Sequence, residues 1–348
     1  MKLYLGFRGS ATFLMAAWLT LNAAPVFAGE PSASEQLWLE MINRFRSDPV
    51  AELDVLTNYT TLGGTGFDDP ASSDPEVASS LDFFNVDPET LRGQFDVLDP
   101  APPLAWSPAL HESATSYSEL IIAEDEQSHT LDGKSLIQRF EDGGYAFTGG
   151  GSAGENIFAF ARNVFHGHAG FVLDWGSGTD GIQDPPGHRD NLLSHTFDEI
   201  GIGMVTVTDP TLSVGPFAAT QHLATANVTG PFLTGVSYRD LNSDAFYSIG
   251  EGVGDLTINI FDADSGSLVD STQTFTSGGY VIELPGNALY DVQFLGPAID
   301  EMFYDIQIDD ENVKLDAVVA IPEPTTLVLL GALTLGVLTR RRSPHPQQ

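Results

Sequence analysis

A chain of 348 residues with 48 acidic and 14 basic side chains, a formal net charge of −34 and no cysteine is long enough for about two domains. Such acidity repels nucleic acid and anionic lipid headgroups, so no nucleic-acid partner is expected, and it attracts divalent cations. Without thiols there is no disulfide, and stability has to come from core burial, assisted by bound metal.

At the start, Lys2 and Arg8 precede an apolar run, "ATFLMAAWLTL", and "PVFA" precedes Gly29. Charged, apolar and small-residue regions in that order predict a signal peptide over 1–28, removed by signal peptidase after Ala28. A first body is expected over 29–229. "SEQLWLEMINRFRSDP" sets Leu37, Met41 and Phe45 four apart with Trp38 and Ile42 beside them, which predicts a helix capped by Ser34 and stopped by Asp48 and Pro49. From Thr57 to Pro103 the pattern dissolves into Gly, Ser, Asp and Pro, and 57–103 reads as an acidic, solvated surface insertion.

Order returns at "LAWSPALHESATSYSELIIAE", a helix with Ser107 at its N-cap, Pro108 at its first position and Leu110, Ala114, Tyr117 and Ile121 on one face. A short helix follows in "SLIQRFEDGGY". Another, in "NVFHGHAGFVLDW", sets Val164, His168, Phe171 and Trp175 on one side. "EIGIGMVTV" and "FAATQHLATANV" read as late, antiparallel strands, giving an α+β sandwich. Beyond Gly230, over 230–317, the segments "LTINIFDAD", "GGYVIELP" and "LYDVQFLG", separated by turns at Asp264–Gly266 and Pro285–Asn287, predict a small all-β body.

The residues able to do chemistry lie mostly in the first body. His129 follows a helix in "QSHTLDG", Glu155 stands in "SAGENIFA", Asp174 and Asp180 in "FVLDWGSGTDG", and His188 in "PPGHRDNLL". Two imidazoles with carboxylates form a donor set for Zn²⁺ when thiolates are lacking. Each residue also has a structural role open to it: His188 bonding a carboxylate at a helix start, His129 capping carbonyls, Glu155 accepting from amides. His111, His166, His195 and His222 have no such partners in sequence and are expected at the surface; His168 is expected in the core.

"INRFRSDP", "LAWSPALHESA", "SHT", "GENI", "GHRDNLLS" and "EIGIG" stand in an order that resembles the bacterial members of the CAP superfamily, the SCP-like extracellular proteins, over about 34–228. The resemblance implies an α-β-α sandwich with a cleft of two histidines and two acids that binds zinc in some members. Carried over, these are His129, His188, Glu155 and Asp174, with Asp180 as the other choice for the second acid.

In the β body, "DLNSDAFYSIGE" places Asp240, Asn242, Asp244, Phe246 (through its carbonyl), Ser248 and Glu251 at positions 1, 3, 5, 7, 9 and 12 of a calcium loop, with Ala245 where such loops carry glycine. The surrounding sequence resembles the B-type repeats of bacterial surface adhesins and Cna-B-like domains.

The C-terminus, 318–348, combines Pro322, Glu323 and Pro324, an uncharged stretch from Thr325 to Thr339, and Arg340, Arg341 and Arg342. That stretch is shorter than the roughly 20 residues of a spanning helix. The three parts together resemble the PEP-CTERM sorting signal. The resemblance implies a transient membrane anchor cleaved by an exosortase in a Gram-negative bacterium and an extracellular or cell-surface destination.

Three functions compete: an exported binding module for a lipid, glycan or protein ligand, a zinc-dependent hydrolase with Glu155 as base, and a structural matrix protein. No serine or cysteine nucleophile stands at motif spacing from a base, and the binding module is the favoured reading.

Overall fold

The computed structural model describes residues 29–57 and 74–321. The signal peptide and the sorting residues Pro322, Glu323, Pro324, Arg340, Arg341 and Arg342 lie outside the described residues, as does 58–73. No helix among the described residues is long and apolar enough to cross a membrane.

Helix α1 (Ala33–Ser47) forms as its periodicity predicts and buries Trp38, Ile42 and Phe45 completely. Its cap is Ser32 rather than Ser34. The Ser32 hydroxyl accepts from the Glu35 amide while the Glu35 carboxylate accepts from the Ser32 amide at 2.9 Å. Only Ser32 has a glutamate three residues on, which is what the reciprocal box requires. Asp48 ends α1, yet it also accepts from the Ala51 amide at 3.0 Å and opens α2 (Pro49–Thr57).

The expected solvated insertion is corrected by the structure. Two helices stand in it, α3 (Pro75–Phe84) and α4 (Pro88–Phe95), each with an aspartate N-cap (Asp74, Asp87) and a proline in the first turn. Val77, Leu81, Leu91 and Phe95 are buried in the same core as α1. The acidic side chains occupy the outer faces and the caps, while the inner faces are apolar.

The central sheet has the order β1-β3-β4-β2, from β1 (Ala105–Trp106), β2 (Gly151–Ala161), β3 (Glu199–Thr206) and β4 (Phe217–Ala226). The β3–β4 and β2–β4 pairs are antiparallel, as expected for the late strands, and β2 is an edge. Helix α5 (Pro108–Glu124) covers β3 and β4 on one face with α6 (Leu136–Asp142) beside it. The opposite face carries α1, α7 (Val164–Leu173) and α8 (Gly187–Leu193). The glycines of "EIGIG" have a packing cause: a Cβ on Gly201 would lie 2.0 Å from the His111 amide nitrogen, and one on Gly203 2.3 Å from that of Thr115. Without side chains there, α5 lies directly on β3, and the first body is an α-β-α sandwich.

The second body is two sheets around Leu233, Ile258, Tyr280, Val292 and Phe294. One has the order β10-β9-β6-β7, from β6 (Thr257–Asp262), β7 (Leu268–Gln273), β9 (Ala288–Gly296) and β10 (Ile299–Ile308). The other centres on β5 (Phe232–Tyr238), flanked by β8 (Gly279–Glu283), β11 (Val313–Lys314) and β12 (Ala317–Val318). It seats against the first body: Lys314 Nζ lies 2.8 Å from the buried Glu40 carboxylate, and Asn312 donates to the Pro103 and Asp198 carbonyls at 2.9 and 2.7 Å.

Candidate binding cleft and its histidine–carboxylate pairs

Glu155 and His222 face each other across β2 and β4 in register, on the α5–α6 side of the sheet. Both are buried. His222 Nε2–H donates to Glu155 Oε2 at 2.8 Å, and His129 Nδ1–H, from the turn after α5, donates to Oε1 at 2.7 Å. Arg139 of α6 closes the group with a salt bridge to Glu155. Its other nitrogens hold Asp132 through two bonds of 2.9 Å, and its guanidinium stacks over Tyr117 at 3.6 Å. Burial alone would raise the Glu155 carboxyl; the hydrogen bonds from His129 and His222 and the Arg139 charge outweigh it and hold the group at about 2.

His188 and Asp174 form the second pair. Asp174 ends α7 in a left-handed conformation (φ 56°), fully buried, and turns its carboxylate onto the start of α8. Oδ2 accepts the amides of His188 and Arg189 at 3.0 and 3.2 Å, and Oδ1 accepts the His188 Nδ1–H at 2.7 Å. One carboxylate therefore caps the helix and fixes the imidazole. Asn156 ties this helix to β2 by donating to the His188 carbonyl at 3.2 Å and accepting from Asn191 at 2.8 Å. Asp180 lies elsewhere, accepting from Thr90 at 3.0 Å and so pinning α4.

His129, Glu155, Asp174 and His188 thus form two separate imidazole–carboxylate pairs at the β2 edge. Among the described residues no group of three or more histidine, aspartate and glutamate side chains is arranged to hold an ion. The carboxylates accept imidazole, amide and guanidinium protons, and the four residues of the expected zinc set stand as two pairs rather than as one cluster. Each ring of the two pairs keeps only Nε2 for an outside partner. The calcium-loop residues are likewise engaged locally. Asp240 accepts the amides of Asp244 and Ala245, and Glu251 those of Leu241 and Ser248 at 2.8 Å each. Asn242 donates to Asp244 and Ser248, and Phe246 stacks on Arg44. Ala245 has φ 58°, the left-handed conformation that the loop's usual glycine adopts.

Two expected surface histidines are buried. His222 belongs to the Glu155 group, and no residue near it in sequence announces that, because the pairing register of two distant strands sets the contact. His166 lies on α7, with Ser80 of α3 at 2.9 Å from its Nε2. His168 is in the core, as expected, 2.9 Å from Glu52. His195 is exposed, and His111 is half-buried against the Ile202 carbonyl.

Ser80 and His166 line a cleft of about 750 Å³ between α3, β2 and α7 that also reaches His188. Its apolar lining includes Phe83, Phe84, Phe158, Phe160, Phe171 and Trp175. His166 Nδ1 accepts the Arg162 amide at 3.2 Å, so the neutral ring carries its proton on Nε2 and donates it to Ser80. That tautomer cannot take a proton from the serine, and the pair is not an activated nucleophile.

A helix–sheet–helix sandwich with paired histidines and acids at its edge strand defines the class. The model of the cysteine-rich secretory protein family, CAP, matches residues 39–222, more than half of the chain, and the chain belongs to that family, though without a cysteine of its own. The PEP-CTERM protein-sorting motif matches residues 320–342, which implies an exosortase-sorted, exported protein of Gram-negative bacteria.

Among solved structures, the chain is similar to an extracellular protein containing an SCP domain from Bacillus anthracis str. Ames, at 23% identity over 42% of this chain and 38% of that one, TM-score 0.27. It is similar to a putative carbohydrate binding protein from Bacteroides uniformis ATCC 8492, at 20% identity over 26% of this chain and 42% of that one, TM-score 0.21. A shaft pilin of Lactobacillus rhamnosus GG matches at 13% identity over 27% of this chain and 51% of that one, TM-score 0.21. The chain thus spans about half or less of the length of each. No significant match was found among curated proteins.

Proposed function

We propose that this exported CAP protein is a binding module rather than a hydrolase, and that the aromatic cleft between α3, β2 and α7 is where its ligand lies. The cleft itself carries this reading: a concavity of about 750 Å³ that sets phenylalanine and tryptophan rings among polar side chains has the form of a ligand site. Glu155, the base a hydrolase would need, is saturated by three donors and held ionised. Trp175 supplies the readout. Its fluorescence and the melting temperature are to be followed against neutral and acidic oligosaccharides, fatty acids and short peptides. A saturable change with at least one class, lost in Trp175→Phe for the fluorescence and weakened in His188→Ala, is expected, with the ligand's mass unaltered. Turnover lost in His188→Ala would establish the hydrolase instead.

Calcium at the loop Asp240–Glu251 is the second element of the proposal. The oxygen spacing and the left-handed Ala245 support it; Glu251 would exchange the amides of Leu241 and Ser248 for the ion. An alanine in this conformation costs about 1–2 kcal/mol. Ala245→Gly is therefore expected to stabilise the protein by about 1 kcal/mol and to tighten calcium binding. At a hundredfold excess over Kd, calcium adds about 2.7 kcal/mol. Melting curves with calcium and with chelator decide it, and a parent and an Asp240→Ala variant that respond alike would remove calcium from the account.

A further inference from the structure

The composition of the cleft narrows what it takes. Phe83 on α3 is 78% exposed and Phe160 on β2 is 43% exposed, so the two walls each present an aromatic ring to solvent. Both are backed by a second ring, Phe84 at 5.0 Å and Phe158 at 6.4 Å. An acidic chain leaves such rings uncovered at a cost, and flat apolar rings are the surface on which the C–H faces of pyranose sugars stack.

The polar groups between the rings are matched to hydroxyls. Ser80 receives the His166 Nε2 proton and so keeps its own hydrogen to donate. His188 donates Nδ1–H to Asp174 at 2.7 Å and keeps Nε2 for a hydroxyl. Gln127 spends its carbonyl oxygen on the Ala159 amide at 2.8 Å and keeps its NH₂ group. A hydroxyl both donates and accepts, so a polyol answers all three. Glu76 and Arg162 lie 3.9 Å apart on the rim and offset each other, and the net charge of −34 repels anions. A peptide adding to the β2 edge finds Ala159 already paired, its amide with Gln127 and its carbonyl with Gly215 at 2.7 Å.

We propose that the cleft binds a neutral polysaccharide chain, with sugar rings on Phe83 and Phe160 and hydroxyls on Ser80, Gln127 and His188. This inference rests on the binding-module reading and names its ligand class. The test is calorimetric titration of the intact exported protein with cellohexaose, maltohexaose, xylohexaose and mannohexaose, alongside hexagalacturonate, palmitate and an unstructured peptide. Binding of at least one neutral hexasaccharide is expected, weakened about tenfold or more in Phe83→Ala and in Phe160→Ala, as for truncation of an aromatic anchor. Both rings are exposed, so the variants should keep the parent's melting temperature. Neutral-sugar binding that survives both substitutions would overturn the site. Binding of hexagalacturonate, palmitate or the peptide in place of every neutral sugar would overturn the ligand class and leave the binding-module reading standing. No binding of any probe would overturn both.

Discussion

Replacing Arg139 with methionine should lower the unfolding free energy by about 3–5 kcal/mol, the usual cost of removing one partner from a buried charge pair. Arg139 and Glu155 are both almost fully buried, with 5% and 2% of their side chains exposed. Methionine fills much of the space but leaves Glu155 ionised in the interior with only imidazole donors, and Asp132 loses a bidentate partner. The turn that carries His129 would loosen as well, since Arg139 Nη2 also donates to the His129 carbonyl at 3.0 Å. Urea denaturation of the parent, Arg139→Met, Glu155→Gln and the double variant forms a closed cycle. A strong coupling is expected, with the double variant far less damaged than the two single effects added together. Simple additivity would show that Arg139 and Glu155 are not one unit.

How much of this was legible in sequence depends on what kind of signal each element carries. Helix α5 and its buried face follow from periodicity, because one apolar residue per turn has a single use. The 57–103 region reads as solvated because its acids dominate the composition, but composition averages over a helix's two faces. A local signal was present three times. Asp48-Pro49, Asp74-Pro75 and Asp87-Pro88 each open a helix, with the aspartate accepting from an amide of the first turn and the proline where no amide bond is lost. Read as a stop at Asp48 and as loop afterwards, the same dipeptide conceals α2, α3 and α4. This matters for function, since α3 supplies Phe83 and Ser80 to the cleft.

At the site, residue type and order sufficed to pick out His129, Glu155, Asp174 and His188, and the structure brings them together in two pairs. The role of the acids did not follow from type. Whether a carboxylate turns toward an ion or toward a neighbouring imidazole depends on what else reaches it, and Arg139 and the amides of α8 reach these two first. His222 and Asn156 escaped for a related reason. Their partners are fixed by strand register and by the docking of α8, neither of which leaves a mark at short sequence separation.

The fold is expected to lose stability as pH falls from 7, first through histidine and then through carboxylate titration. His168 and His222 each donate Nε2–H to a carboxylate, Glu52 and Glu155, at 2.9 and 2.8 Å. A second proton would go onto Nδ1, which in both rings is buried without an acceptor. Burial accordingly lowers both groups below the ordinary 6.5, and it lowers His166 too. The unfolded chain therefore takes up these protons first, so the stabilisation is complete above about 6.5 and is lost as pH falls toward the folded values. Glu52 and Glu155 act in the same direction lower down. For Glu52, burial is outweighed by the Arg44 and His168 hydrogen bonds; Glu155, at about 2 against an ordinary 4.5, accounts for roughly 3 kcal/mol lost between those values. Glu40 and Glu199, raised mainly by burial, bind protons more readily in the folded state and oppose the loss in the carboxylate range. The cleanest comparison is the urea midpoint at pH 7 and pH 5.5 for the parent and for His222→Gln, whose amide can still donate to Glu155 but cannot take a proton. The parent's midpoint should fall, and the variant's should fall less. A parent midpoint that holds or rises over that interval would mean the buried imidazoles accept their second proton freely, and the pairing assigned to His168 and His222 would be wrong.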